Sequence, residues 1–473
     1  MGNMGLLKKT MIYGIGSLGA KIMSFLLVPL YSFYIKAEDF GYFDIVITTM
    51  SLIVPFVSLQ LSDSVFRWLI TSDKDDNIVK KVVSNTIMFL LVCSGVIFSV
   101  FLLLYYLYPL KNHWILFILL YSSMVYPFFQ QIIRGLGYHK LYAFNGVVYT
   151  FAFIFFNVLF LVGMELDYSY LFVSTILSII ISSFHLIFRC NFFRYYSKNS
   201  VDLSYLYEMI KYAIPLIPNS ISWWLINYSS KYFIIIYLGL SASGLFAMAN
   251  RFPIIMVLIS QIFTLAWQEE AIINFKEEDG KIAEYDNDVL KGLIKVQFVL
   301  VALLSLISQF LVREFLAVDY FDSWRYMPFL YLSGAFLSLA SYYGAFYLSA
   351  KKTSSVLYTT IYSGLITVLG SFLLIKEYQI YGVCFSVMLG YIFLFFVRVY
   401  DVKNIVVIKF PIKVFITYFT VVLVSLFIAF AELSILNFLM FICVNVFAFL
   451  DNRIEIISIF NKVVLYFKKE KNV

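Results

Sequence analysis

The chain has 473 residues, of which 62% are hydrophobic, 20% are aromatic and only 13% are charged. A soluble globular protein carries about 25% charged residues, so this composition excludes a soluble fold and indicates a polytopic membrane protein. The net charge of +7 does not predict a nucleic-acid partner, because most lysines and arginines lie in the short loops between apolar segments.

Fourteen apolar segments predict an all-α protein with about 14 transmembrane helices, since each segment can span a hydrocarbon core of roughly 30 Å. An even number of crossings places both termini on the same side. The predicted spans are 11–35, 42–69, 82–108, 113–133, 142–164, 168–189, 212–238, 244–267, 291–312, 328–350, 354–375, 380–400, 411–431 and 433–450.

The distribution of lysine and arginine predicts the orientation. With the N-terminus in the cytoplasm, 26 of the 35 basic residues lie in cytoplasmic loops or at the cytoplasmic ends of spans, and five lie in outer loops. Cytoplasmic loops normally carry this excess, so we expect both termini inside. The four remaining basic residues fall within predicted spans and are Lys21, Arg67, Lys231 and Arg251.

The first span carries Lys21 near its centre. A central lysine costs about 2.5–3.5 kcal/mol on insertion, so it should face the bundle interior or a wet cavity. Ser17, Ser24 and Tyr31 share its helical face. Two interpretations remain open at this point, a structural lysine paired within the bundle and a lysine that binds an anionic ligand.

The second span carries a polar stripe, and Asp44 begins it near the predicted outer end. There the carboxylate is either simply solvated or takes part in coupling to an ion. Asp63 and Arg67, four residues apart at the inner end, fit an i,i+4 ion pair or a second ion-coupling and substrate-binding position. The rest of the stripe is Thr48, Ser51, Pro55 and Ser62.

Spans 7 and 8 carry the other intramembrane polar residues. Two prolines, Pro215 and Pro218, predict a bent or interrupted helix at the inner end of span 7. Asn227 and Lys231 follow on one of its faces. In span 8, Arg251 needs a counter-charge, water or a ligand because it retains its charge, and Asn250 precedes it.

Four intramembrane cations face few carboxylates, so we expect a cavity of net positive charge that holds anions. This predicts a functional role for at least Lys21 and Arg251. No nucleophile and base at suggestive spacing, and no metal-ligand set, emerges from the three histidines and four cysteines. We therefore expect neither a catalytic site nor a metal site.

A shift of 203 residues aligns Tyr34 with Tyr237 and the segment 41–43 with 244–246. This short match predicts two parallel repeats. The expected organisation is an N-terminal lobe at 1–200, a C-terminal lobe at 201–405, and two extra helices with a basic cytoplasmic tail at 406–473.

Seven segments of the chain together carry a resemblance to one protein family. They are KKTMIYGIGSLGAKIMSFLLVPLYSFYI, FGYFDIV, YAIPLIPNSISWWLIN, SSKYFI, GLFAMANRF, FTLAWQEEA and YLSAKKT. With these segments the chain resembles the oligosaccharide-lipid flippases of the polysaccharide-biosynthesis type, which include the O-antigen repeat-unit flippases and belong to the multidrug/oligosaccharidyl-lipid/polysaccharide exporter superfamily.

The resemblance implies two six-helix lobes in a V around a central cleft, and alternating access. It implies a transporter of the bacterial cytoplasmic membrane rather than an enzyme, which moves an undecaprenyl-pyrophosphate-linked oligosaccharide repeat unit to the outer leaflet. Family members carry cleft cations that match Lys21, Lys231 and Arg251 in kind. Relatives often have aspartate-arginine where this chain has lysine in SSKYFI, which puts the role of Lys231 in doubt.

The candidate residues fall into two groups, and no cofactor is expected beyond a coupling proton or sodium ion. The expected partners are the lipid-linked oligosaccharide, the bilayer, and the polymerase and chain-length machinery of the same pathway. Two alternatives stay open: a multidrug and toxic compound extrusion-type exporter, which a positive cleft disfavours, and a membrane glycan polymerase or acyltransferase. The substrate-binding candidates are Lys21, Arg251, Lys231, Arg67, Asn227 and Asn250, and the ion-coupling candidates are Asp44 and Asp63.

Overall fold

The computed structural model describes residues 23–451 apart from 24, 73–74, 108–111, 255, 257, 259, 261–266, 268–279, 351–352, 404, 407 and 433. At 280–285, 348 and 353 it describes the backbone alone. All regular structure in these residues is helical, so the prediction of an all-α polytopic membrane protein is confirmed.

Fourteen α-helices lie in the described residues, here labelled α1 to α14. In chain order they are Leu27–Tyr34, Ala37–Val57, Leu61–Ile70, Asp76–Leu107, His113–Gly135, His139–Asn157, Ser169–Cys190, Leu203–Ala213, Ile217–Ala249, Gly280–Phe315, Met327–Ser349, Thr353–Val402, Ile412–Phe430 and Ser434–Asp451. Helix α6 continues as a π-helix at Val158–Gly163, and a 3₁₀ turn at Ile214–Leu216 joins α8 to α9.

Eleven helical segments of the described chain are long and apolar enough to cross a membrane. Two of them, Leu203–Ala249 and Ser354–Val402, have 47 and 49 residues, about twice the length that a bilayer requires. The first is interrupted towards its C-terminal end, at Gly239 with φ 87°, and the second near its middle, at Gln379 with φ 50°. These breaks lie between predicted spans 7 and 8 and between predicted spans 11 and 12.

By packing, the chain divides into two compact units. The first comprises Met1–Ile254 and Leu357–Gly390. In its described part, α3, α4, α5 and α8 share an apolar core that includes Leu61, Val82 and Phe128, each fully buried. Helices α6 and α7 pack beside α5, and α2 packs along α9. The arrangement brings the polar residues of predicted spans 2 and 7 together.

The second unit comprises Ile255–Val356 and Tyr391–Val473. Its centre is a cluster of phenylalanines in which Phe298 of α10 contacts Phe336 of α11 and Phe415 of α13 at ring-centroid distances of 5.9 and 5.4 Å. Aromatic pairs at such distances contribute beyond their area alone. The lobes predicted at 1–200 and 201–405 stay a prediction.

Predicted span 2, residues 42–69, is not one helix. Helix α2 ends at Val57 and α3 begins at Leu61, and between them Leu59 and Gln60 have φ values of 48° and 53°. Pro55 lies in the last turn of α2, where its ring and its missing backbone donor weaken the preceding turn, and the break follows it. Gln60 N–H then bonds to the Pro55 carbonyl at 3.1 Å. The sequence contained the proline, but a bend there was not expected.

Candidate functional site

The first unit contains a buried ion pair between α2 and α9. Lys231 Nζ donates to Asp44 Oδ2 at 2.6 Å and to Thr48 Oγ1 at 3.3 Å. The side chains of Lys231 and Asp44 are only 9% and 11% exposed. At such burial each charge depends on the other, since a lone buried charge is strongly unfavourable.

Aromatic side chains of α9 surround this pair. Trp224 Nε1 donates to the Thr48 carbonyl at 3.0 Å, and the hydroxyls of Tyr232 and Thr49 lie 2.6 Å apart. The ammonium of Lys231 lies 5.3 Å from the ring centroid of Tyr228, a distance at which a ring face attracts a cation. Side chains of α9 therefore fix the position of α2 through its backbone as well as through Asp44.

Of the two alternatives for Asp44, the structure excludes the solvated carboxylate at the helix end, because the residue is 8% exposed and paired. The ion-coupling role stays a prediction. Few carboxylates were expected for the four intramembrane cations, and one of them, Asp44, pairs with Lys231. The sequence did not predict this pairing. Asp44 and Lys231 are 187 residues apart in the chain, and only the packing of α2 against α9 brings them together.

Arg251 lies just beyond the end of α9 and is partly buried. Its guanidinium carbon is 5.6 Å from the ring centroid of Phe40 on α2. Among the described residues, no carboxylate lies within ion-pair distance of Arg251. This guanidinium therefore keeps its charge and its donors for another partner.

Tyr31 of α1 adds a second unused polar group beside Arg251. Its side chain is 3% exposed, and its hydroxyl has no hydrogen-bond partner within the described part of the chain. Arg251 is close enough to interact electrostatically with the hydroxyls of Tyr31 and Tyr228. A buried hydroxyl without a partner costs about 1–3 kcal/mol, so it favours a ligand or water that completes its bonding.

The remaining candidates lie elsewhere. The Arg67 guanidinium is 4.5 Å from the Tyr212 ring centroid, and Asp63 accepts from Gln60 Nε2 at 2.8 Å. The predicted ion pair between Asp63 and Arg67 is not formed, because α3 directs the two side chains to different partners. Arg67 is exposed and has no contact with Asp44, Lys231 or Arg251 in the described structure.

The two asparagine candidates mainly bond to their own helix. Asn227 donates to the Trp223 carbonyl at 2.7 Å, and Asn250 donates to the Phe246 carbonyl at 3.2 Å. Lys21 lies outside the described residues. Of the predicted site residues, the structure therefore brings Asp44, Lys231 and Arg251 to the same pair of helices.

A cavity of about 380 Å³ opens in the first unit beside the break between α2 and α3. Polar side chains of the predicted stripe, Ser51 and Ser62, line it together with Gln60, Tyr149 and Thr175. The sequence did not predict this cavity. It also did not predict that Trp224 and the α9 tyrosines contact α2 and the ion pair. With 37 tyrosines and 51 phenylalanines in the chain, no single aromatic residue gave a distinguishable signal.

Comparisons with known proteins place this geometry in a known fold. The model of the family described as polysaccharide biosynthesis protein matches residues 6–268. The solved structure of lipid II flippase MurJ in an inward closed conformation matches with a TM-score of 0.69 and 15% identity, over 94% of this chain and 100% of that chain. No curated protein matches the chain.

Two solved structures described as MOP superfamily transporters share the fold. An inward-facing multidrug resistance MATE family transporter of the MOP superfamily matches with a TM-score of 0.65 and 13% identity, over 83% of this chain and 98% of that chain. A MOP superfamily transporter from Pyrococcus furiosus, whose binding pocket is described as reversed in polarity, matches with a TM-score of 0.58 and 14% identity. The match covers 84% of this chain and 95% of that chain. At these identities the likeness concerns the fold.

Proposed function

Because the chain belongs to the polysaccharide biosynthesis protein family, we propose that it is a flippase for a lipid-linked oligosaccharide. In this proposal it moves an undecaprenyl-pyrophosphate-linked repeat unit from the cytoplasmic to the outer leaflet of the bacterial cytoplasmic membrane, by alternating access between two lobes. Both termini are cytoplasmic. Arg251 and Lys21 hold the pyrophosphate.

One observation carries the proposal. Among the described residues, Arg251 has no carboxylate within ion-pair distance, and the nearby Tyr31 hydroxyl has no hydrogen-bond partner. The barrier to moving a lipid-linked pyrophosphate is its anionic headgroup, which loses hydration in the membrane. A guanidinium offsets this loss through charge-assisted, bidentate hydrogen bonds to phosphate oxygens. A phosphate oxygen would also accept from the Tyr31 hydroxyl, so the same ligand satisfies both groups.

The location of Lys21 and Arg251 along their spans agrees with a shared headgroup. Arg251 is seven residues from the predicted start of span 8, roughly 10 Å from the outer face, and Lys21 is ten residues into span 1, roughly 15 Å from the inner face. Their predicted depths overlap near mid-membrane. Lys231 does not hold the headgroup in this proposal, because Asp44 neutralises it in the described conformation.

A small-molecule exporter of the multidrug type is the second candidate, since such transporters share the fold. Export of cationic drugs would favour a carboxylate that is available to the ligand. Asp44 is held by Lys231, and the cationic Arg251 interacts electrostatically with Tyr228, as Asp44 does. These charges favour an anionic substrate over a cationic one.

The proposal is tested in proteoliposomes that contain a fluorescent undecaprenyl-pyrophosphate-linked oligosaccharide, with appearance at the opposite leaflet as the readout. Arg251→Ala and Lys21→Ala should each reduce translocation about tenfold or more, because a hydrogen bond to a charged group contributes about 1.5–3 kcal/mol. Lys21→Arg should retain much activity. Arg251→Lys should lose more translocation activity than Lys21→Arg, since an ammonium point charge replaces a guanidinium that forms two parallel hydrogen bonds.

Arg194→Ala is the matched control, because Arg194 is an exposed arginine outside the predicted spans. It should translocate at the wild-type rate. If the Arg251 and Lys21 variants reach the membrane at normal levels and translocate as the control does, no headgroup clamp exists. If translocation of cationic dyes but not of the lipid-linked oligosaccharide is observed in the wild type, the exporter function replaces the proposed one.

A further inference from the structure

Two glycines bring the backbones of α2 and α9 into direct contact. A Cβ atom added to Gly41 would overlap the carbonyl oxygen of Leu240 and lie 2.8 Å from the amide nitrogen of Gly244. A Cβ added to Gly244 would overlap the carbonyl oxygen of Ala37. No other residue type therefore fits at either position without moving a helix backbone.

This contact is reciprocal in the predicted internal repeat. The shift of 203 residues that aligns Gly41 with Gly244 also aligns Ala37 with Leu240. Each glycine thus meets the equivalent of the residue that the other glycine meets, which is the pattern of an isologous two-fold contact. The weak repeat in the sequence corresponds here to a contact between its own matching positions.

The glycines of the described chain differ in how closely they are packed, and several others, such as Gly382 and Gly390, are also tightly packed. A Cβ added to Gly95 or Gly146 would meet no atom within 4 Å. What distinguishes Gly41 and Gly244 is that the atoms they meet are backbone atoms of another helix at matching positions of the predicted repeat. Backbones that approach this closely interact by dispersion and weak Cα–H···O bonds, so they can separate without breaking a side-chain hydrogen bond.

The position of the contact suggests what it does. In the predicted orientation, Gly41 and Gly244 lie at the outer ends of spans 2 and 8. The Asp44–Lys231 pair lies about one helical turn further in. At Gly239, the φ of 87° marks a break in α9, where the segment that carries Gly244 can turn relative to the segment that carries Lys231.

We propose that the Gly41–Gly244 contact is the outer gate of the translocation path, closed in the described conformation. It opens by separation of α2 from the segment of α9 that follows Gly239. Opening then exposes Asp44 and Lys231 to water from the outer side. This inference rests on the proposed transport function, but the gate can be measured without substrate.

The test uses a chain in which the four native cysteines are replaced and Thr48→Cys is the single thiol. Thr48 is 4% exposed and contacts Lys231 on the inner side of the glycine contact. A membrane-impermeant maleimide is applied from the outer face. Gly41→Leu and Gly244→Leu should each raise the labelling rate about tenfold or more, because they destabilise the closed state. Gly146→Leu is the matched control and should leave it unchanged.

Gly41→Ala and Gly244→Ala provide a milder perturbation in case the leucine variants do not reach the membrane. They should be present at the level of Gly146→Ala and show a smaller increase in labelling. Unchanged labelling in variants that are present at control level would overturn the gate. Loss of both alanine variants from the membrane, with Gly146→Ala retained, would also overturn it, because the contact would then be required for folding. Neither result depends on translocation, so neither bears on the proposed substrate.

Discussion

Removal of either member of the Asp44–Lys231 pair should destabilise the protein strongly. Both side chains are nearly buried and their charged atoms are 2.6 Å apart. Breaking such a pair by removing one partner costs about 3–5 kcal/mol, because the remaining charge stays buried without compensation. We therefore expect Asp44→Asn and Lys231→Met each to lose about 3 kcal/mol of stability.

The double variant Asp44→Asn/Lys231→Met should recover much of this loss, since it buries no uncompensated charge. The coupling free energy expected from the double-mutant cycle is about 2–3 kcal/mol. At roughly 2 °C per kcal/mol for a large chain, each single variant should unfold about 6 °C below the wild type. The measurement is the fraction of detergent-solubilised protein that remains monodisperse after heating.

Additivity of the two single effects would refute this reasoning, because independent losses mean that the charges do not depend on each other. Wild-type stability of Asp44→Asn would refute it as well, and would show that the Lys231 ammonium is solvated. A comparison of Asp44→Asn translocation across pH and sodium concentration then tests the separate hypothesis that Asp44 couples transport to an ion. Normal transport under all these conditions would remove Asp44 from the ion-coupling candidates.

Three further predictions concern topology, packing and pH. Single cysteines at 165–167 should react with impermeant reagents from outside and those at 351–352 from inside, and a reversed result at either site would overturn the predicted orientation. Gly382→Ala should lower the unfolding temperature, whereas Gly95→Ala should not, because a Cβ at Gly382 lies 2.5 Å from a backbone carbonyl oxygen and one at Gly95 meets no atom within 4 Å. Asp202 accepts hydrogen bonds from a lysine, a serine and a backbone amide, which lower its pKa from 3.8 to about 2. The ionised carboxylate therefore stabilises the folded chain fully above pH 4, and this stabilisation is lost as the pH falls towards 2. The unfolding temperatures of Asp202→Asn and wild type should accordingly differ at pH 6 and converge as the pH falls towards 2.

The apolar segments determined the class of this protein without reference to tertiary structure. A hydrocarbon core accepts a backbone only when it is hydrogen-bonded within its own helix, so long apolar stretches dictate helices and their approximate ends. Breaks at Gly239 and Gln379 agree with predicted span ends for the same reason. The bend after Pro55 lay inside an uninterrupted apolar stretch, where hydropathy gives no indication of a break.

Which charges are neutralised was decided by the tertiary structure alone. The sequence identified Asp44, Lys231 and Arg251 as costly residues in a membrane, because burial of a charge is unfavourable whatever its surroundings. It could not determine that Asp44 serves Lys231, nor that Arg251 has no carboxylate within ion-pair distance in the part of the chain that the structure describes. That choice depends on how α2 packs on α9, and two glycines 203 residues apart set that packing through a contact in which neither contributes a side chain.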